Sequence, residues 1–295
     1  MESSSRSSHI PVLLNEVVEM MAVREDGVYL DATVGLGGHS SSILERLGSD
    51  GKLIGIDRDE EALALAAERL GNGRVHLRKG QFSELGEIVS DLKLEHVDGV
   101  LFDLGVSMLQ LKEHDRGFSF MSDARLDMRM DSSQKLSAWE VVNRYHEKDL
   151  QRILQEFGEE PIYRKIAKSI VFSRQSAPIN TCDELAELVF QAYGGRGRTH
   201  PATRTFQALR IEVNKELEEL KKGLSAAIGT IKVGGRVCVI AYHSLEDRIV
   251  KNVFRDLGRE GVLRLLTKKP IAPRREEILR NPASRSAKLR GVEKI

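Results

Sequence analysis

The sequence predicts an α/β protein: a mostly parallel sheet with helices on both faces, interrupted by a helical insertion. Three observations predict it. Four strand–helix units follow one another from Val28 to about Asp103, a rhythm that favours parallel strands covered on both sides. Three of the four strands end in an acid: Asp31, Asp57 and Asp103. The alternation then stops between Met108 and Thr205, where the segments read as helices, and resumes at Phe206.

The elements follow in order. Leu13, Val17, Met20 and Met21 recur at helical spacing, so Ile10–Ala22 reads as an amphipathic helix. Val28–Asp31 is the first strand. Asp31–Ser40 is a Gly-rich turn leading into a helix over Ser40–Leu47, the arrangement that brings a nucleotide-like ligand against bare backbone N–H groups. Lys52–Asp57 is the second strand and Asp59–Leu70 the next helix. Arg74–Arg78 is the third strand, followed by Phe82 and a helix over Ser83–Leu92 with Ser83 as its N-cap. Val97–Asp103 is the fourth. Helices are expected at Trp139–Asn143, Lys148–Phe157, Tyr163–Phe172 and Asp183–Ala192. One helix then runs from Phe206 to Ile228. Gly234-Gly235 turns into a fifth strand, Arg236–Tyr242, and Glu246–Leu257 is helical. Val262–Thr267 and Ala287–Val292 form a closing antiparallel pair. The expected domains are a discontinuous one, 10–107 with 206–295, and an insertion, 108–205, after a disordered tail at 1–9.

Composition narrows the class. The 295 residues are 41% hydrophobic and 30% charged, a globular balance. No apolar run approaches the roughly 20 residues of a membrane span. The Ser-rich start lacks the apolar core of a secretory signal. Cys182 and Cys238 give neither a disulfide framework nor a metal cluster, so no metal site is expected and a cytoplasmic location fits. The net charge of +1 hides an asymmetry: Lys268–Ile295 holds nine Lys/Arg against three acids. A basic end on a slightly acidic body suggests a polyanionic partner.

The Gly-rich turn admits a dinucleotide or S-adenosylmethionine. The third Gly of the dinucleotide pattern would fall at Ser40, so that spacing fits poorly. Asp31 could pair a methionine ammonium, Asp57 could accept from both ribose hydroxyls, Phe82 offers an apolar face to adenine, and Asp103 lies near the reacting end. This ordered set suits a ligand with an ammonium, a sulfonium and a ribose diol better than a pyrophosphate.

Asp31–His39, Gly55–Asp59, Phe102–Ser107, Arg116–Phe120, Arg125–Met130, Ala202–Arg210, Tyr242–Arg248, Asn281-Pro282 and Arg285–Arg290, with the opening His9–Leu14, resemble the bacterial 16S rRNA (cytosine-N4) methyltransferases of the MraW/RsmH family. The resemblance covers nearly the whole chain after the Ser-rich tail. It implies a class I S-adenosylmethionine-dependent methyltransferase, Rossmann-like, with an inserted helical substrate-recognition domain. It carries cofactor contacts onto Gly37, Gly38, His39, Asp57, Phe82, Asp103 and Gln110, to which the residue reading adds Asp31. The implied substrate is the exocyclic amine of one cytidine in the decoding region of 16S rRNA, within the assembled small ribosomal subunit.

A cytosine amine is a weak nucleophile because its lone pair is delocalised into the ring. An acceptor on its N–H groups favours attack, and Asp103 is the candidate. The Pro-Pro-aromatic that follows such an acid in many amino methyltransferases is replaced by Leu104-Gly105-Val106. His243 and Ser244 end the fifth strand and either face the same cleft or cap the next helix. The RNA-binding candidates are Arg196 and Arg198 in a basic Gly-rich loop, Arg204, and Arg274, Arg275, Arg285, Lys288 and Arg290 near the C-terminus. Arg125, Asp127 and Arg129 read equally as a half-buried strand or an RNA-facing one. A homodimer is compatible with the sequence, and no membrane partner is expected. Three other readings remain at this level: a nicotinamide-dependent oxidoreductase, a non-catalytic RNA-binding relative, and the same chemistry on another amine of RNA or DNA.

Overall fold

Side chains alternate along each strand, and in this chain both faces of the strands are apolar. The computed structural model describes residues 11–71, 73–107, 114–195 and 200–295. The chain divides into two units, Met1–Gly105 with Leu217–Ile295, and Val106–Glu216.

The first unit holds seven strands: β1 (Val28–Asp31), β2 (Lys52–Asp57), β3 (Val75–Lys79), β4 (Val97–Asp103), β5 (Ile231–Ala241), β6 (Leu263–Leu265) and β7 (Lys288–Lys294). Their order in the sheet is β3-β2-β1-β4-β5-β7-β6. Neighbours from β3 through β5 pair in parallel, while β7 runs antiparallel to both β5 and β6. This is the mostly parallel, Rossmann-like sheet expected from the sequence. Leu30, Ile54, Val100, Phe102, Val237 and Val239 feed one core, beneath α4 (Leu85–Asp91), α10 (Glu216–Thr230) and α11 (Ser244–Arg259). Tyr29, Leu53, Leu101, Cys238 and Ile240 feed the other, beneath α1 (Leu14–Met21) and α2 (Gly38–Leu44). That alternation is the period-2 signature of strands buried on both faces. α3 (Glu60–Leu70) adds Ala66 and Leu70 to a smaller cluster around Val34. Among the described residues no helix is long and apolar enough to cross a membrane.

The second unit is helical: α5 (Ala138–Arg144), α6 (Glu147–Glu156), α7 (Tyr163–Ser173), α8 (Cys182–Tyr193) and α9 (Ala202–Asn214). Val141, Leu150, Ile153, Ile166, Ile170, Leu185 and Val189 build its core. Thr181 and Glu184 close a reciprocal capping box on α8, and Ser137 and Glu140 do so on α5. Within the Arg125–Met130 stretch, Arg129 and Asp127 bond within this unit, while Arg125 is exposed. Arg129 holds Asp127 through two bonds of 2.7 and 2.8 Å and donates to the carbonyls of Ser132 and Gln134. Burial works against the Asp127 carboxylate, but the Arg129 bonds outweigh it and hold the group below the usual range.

Several local expectations differ. The helix expected over Phe206–Ile228 breaks at Lys215, whose left-handed φ of 52° separates α9 from α10. The expected return to the first domain at Phe206 is corrected accordingly, because Phe206, Leu209 and Val213 on α9 lie in the second unit's core, which extends to Glu216. Gly234-Gly235 lies inside β5, near a register irregularity, rather than before it. Ser83 does not cap its helix. Gln81 and Glu84 form the capping box there, and the Ser83 hydroxyl donates instead to Glu219 at 2.8 Å. α1 starts only at Leu14, because Leu13 takes a left-handed conformation.

Leu209→Ala should therefore destabilise the second unit. We expect a loss of about 2–5 kcal/mol, read in urea by the fluorescence of Trp139, the single tryptophan and a residue of α5. An unchanged Trp139 transition would place α9 outside that core.

Candidate active site

The strand order reverses between β1 and β4, so the crevice past their carboxyl ends is where an open α/β sheet binds ligands. Asp31 ends β1 and Asp103 ends β4, on neighbouring strands. Asp57 ends β2 on the other side of β1. The topology thus brings the three acids of the sequence reading to one edge.

Each acid is held by donors from the turns around it. Asp31 is buried and accepts from the Ser40 hydroxyl at 2.7 Å and from the backbone N–H and hydroxyl of Thr33. Burial raises its pKa against these bonds. The Thr33 hydroxyl also accepts the Asp103 N–H at 2.7 Å, which ties β4 to the Gly-rich turn. Asp57 accepts from the N–H of Gly35 at 2.9 Å and of Asp59 at 3.0 Å, and burial pushes it up to about 6. Gly35, with φ of 48°, sits in the left-handed region that glycine enters without strain. Asp103 accepts from the Tyr242 hydroxyl at 2.7 Å, and its other oxygen lies 3.5 Å from His39 Nδ1. Burial raises Asp103 as well; His39 and Tyr242 oppose that, while Asp31 and Glu246 add to it. Burial is also the largest influence on Tyr242, followed by Asp103, and the phenol is driven upward, so it remains a donor.

The remaining predicted residues surround these acids. Gly37 caps α2 with a left-handed φ of 75°, and Gly38 packs so tightly that a Cβ would lie 2.6 Å from the Pro11 ring. His39 is buried, with Nε2 2.9 Å from the Val12 carbonyl. Phe82 is half-buried and meets Phe102 edge-on at 5.2 Å. Its position depends on α10: a Cβ on Gly223 would stand 2.4 Å from the Phe82 Cβ, and Glu219 holds the neighbouring Ser83. His243, rather than Ser244, caps α11 and closes a capping box with Glu246. Gln110, Arg196 and Arg198 lie outside the described residues.

The cations divide by environment. Arg274, Arg275 and Arg285 are exposed, as is Arg204 on α9. Arg290 and Lys288 instead bind Asp247 of α11, at 2.7 and 3.1 Å, and outweigh burial to hold that carboxyl below its usual range. Arg290 is thereby part of the packing of β7 on α11, with its side chain 12% exposed.

Sequence reasoning did not single out Thr33, Tyr242, Glu219 or Gly223. Thr33 could have been found, since an acid two residues before a Thr favours an Asx turn. Tyr242 becomes visible only once β5 is known to pair with β4.

The buried acids give a pH signature. An Asp57 pKa raised to about 6 means that the folded state holds this proton more tightly than the unfolded chain. Its contribution to stability is complete below the unfolded value of about 3.9 and is lost as pH rises to about 6. Asp57→Asn should therefore flatten the decline of stability over that window, measured by urea unfolding at several pH values without ligand.

A protein from Caldicellulosiruptor saccharolyticus, named Ribosomal RNA small subunit methyltransferase H, is 50% identical, with 97% of this chain and 99% of that protein covered. Proteins of the same name from Persephonella marina (50% identical, 97% and 99% covered) and Fusobacterium nucleatum (45% identical, 100% and 99% covered) are similarly close. The profile of the MraW methylase family matches residues 6–295. With a site of this design at the switch point and a match over nearly its whole length, the chain belongs to the MraW methylase family.

Proposed function

We propose that this chain transfers a methyl group from S-adenosylmethionine to the exocyclic N4 amine of a specific cytidine in the decoding region of 16S rRNA, acting on the small ribosomal subunit in the cytoplasm. Membership of a methylase family and relatives named as small-subunit ribosomal RNA methyltransferases support the donor and the RNA class. The single observation that carries the reading is the gathering of Asp31, Asp57 and Asp103 at one switch point, each with its pKa raised by burial. Buried carboxylates of that kind gain most from a cationic ligand, and the donor carries both an ammonium and a sulfonium.

The residues fit that ligand. Asp31 would pair the ammonium and Asp57 the ribose hydroxyls. Phe82 would face the adenine, and the backbone of Gly37, Gly38 and His39 would close around the rest, with Gln110 added by the family resemblance. Bound S-adenosylmethionine supplies an electrophilic methyl on a positively charged sulfur. Asp103 would then accept from the N–H groups of the incoming amine, drawing its lone pair out of conjugation and taking up the charge that forms. Tyr242, bonded to one oxygen of Asp103, leaves the other to this task. The helical insertion would recognise the substrate. Exposed Arg204, Arg274, Arg275 and Arg285 would contact phosphates, joined by Arg196 and Arg198 of the basic Gly-rich sequence, with Lys288 at the margin.

Mass spectrometry of small-subunit rRNA from cells with and without the gene tests the reading. Loss of one N4-methylation on a decoding-region cytidine is expected, and an unchanged pattern would refute it. Asp103→Asn should lower the transfer rate at saturating donor by about 10²-fold or more; a rate kept at saturation would remove the acceptor role. Tyr242→Phe deletes a bond that lowers the Asp103 pKa, so the acidic limb of the pH–rate profile should move to higher pH. Affinity for small subunits should fall steeply with salt if phosphates are held by arginines.

A further inference from the structure

The segment just before α1 is buried and bent. Pro11, Val12 and Leu13 are all buried, and Leu13 has a φ of 53°. A leucine in the left-handed region is strained by its Cβ against the following carbonyl oxygen, so something must hold it there. The Leu13 N–H donates to Glu277 Oε1 at 2.7 Å. Glu277 lies on α12 (Arg275–Arg280), in the basic stretch between β6 and β7. A bond to a carboxylate is among the stronger kinds available to a backbone N–H.

What this bond fixes reaches the site. With Leu13 held, the Val12 carbonyl stands 2.9 Å from His39 Nε2. A carbonyl can only accept, so Nε2 carries the proton, and the ring is oriented with Nδ1 toward Asp103, 3.5 Å from its Oδ2. Pro11 fills the space against Gly38 that a side chain there would take. Both glycine and histidine belong to the turn that holds the donor in the reading above. Glu277 also lies close enough to Tyr242 for its charge to act on the phenol that grips the other oxygen of Asp103.

We propose that Glu277 is a positioning residue for methyl-donor binding, acting through Leu13, Val12 and His39; the inference rests on reading this turn as the donor site. The helix that offers Arg275 and Arg280 to solvent is then the same element that locks the donor turn.

Titration calorimetry of the full chain with S-adenosylhomocysteine, well below the melting temperature, tests it. Glu277→Ala should weaken binding by about fivefold or more, the scale of one lost hydrogen bond to a charged group. It should also raise KM for the donor more than it changes kcat. Glu277→Gln keeps an acceptor for Leu13 and should stay within about twofold of wild type. Glu276→Ala, an equal change of charge at the exposed neighbour, should leave affinity unchanged. A merely structural role would lower the melting temperature of Glu277→Ala while leaving affinity and KM at wild-type values, and that result would overturn the proposal. Glu277→Gln as weak as Glu277→Ala would overturn it too, because the bond to Leu13 would not be the cause. If the wild type itself failed to bind S-adenosylhomocysteine, the donor reading would fall and this proposal with it; wild-type binding beside an unaffected Glu277→Ala counts against Glu277 alone.

Discussion

The site depends on two carboxylates, Asp31 and Asp103, placed on neighbouring strands in largely dry surroundings. Like charges in low dielectric repel, and burial adds to the cost of ionising either. Such a pair persists only if donors are brought to it, and here they come from different elements. Thr33 lies in the Gly-rich turn, Ser40 on α2, and Tyr242 just past β5. Each donor constrains the element that carries it. The turn cannot slide, α2 must begin where it does, and β5 must be in register with β4 for Tyr242 to reach Asp103. The hydroxyl and backbone donors that answer the acids are neutral, which suits a cationic ligand.

A second layer of constraints comes from glycines pressed against neighbours. Gly38 admits Pro11, and Gly223 admits Phe82. In each case the missing side chain lets a distant part of the chain come into contact with the site. The N-terminal segment is held from the other side by Glu277, so a segment before α1 and one between β6 and β7 meet beside the site. Closure of this kind explains why the antiparallel pair β6 and β7 follows the parallel sheet: β7 returns the C-terminal segment to the edge of β5, within reach of α1 and α11.

Much of the strand framework was legible because apolar runs of four to eight residues with acids at their ends are strong local signals. Val28–Asp31, Lys52–Asp57 and Val97–Asp103 lie where the sequence puts them. Boundaries set by backbone geometry were less legible. Lys215 breaks a helix whose composition is helical throughout, because it adopts a left-handed conformation that no residue type announces. Gly234-Gly235 looks like a turn and is strand, because pairing with β4 overrides local preference. His243 displaced Ser244 as a cap since the strand ends one residue earlier than expected. In the insertion, alternation over Arg125–Met130 could not decide between a half-buried and an RNA-facing set of charges; Arg129 and Asp127 bond to each other, while Arg125 is exposed.

The sequence by itself determined the sheet's parallel core, the acids that close its strands and the family to which they belong, because each is written in a short stretch or in motifs matched one by one. Tertiary structure alone decided which groups answer those acids. Tyr242 meets Asp103, Glu219 meets Ser83 and Glu277 meets Leu13 across separations of more than a hundred residues. The physical reason is that a hydrogen bond needs its two groups within about 3 Å, and over such separations only the folded sheet brings them that close.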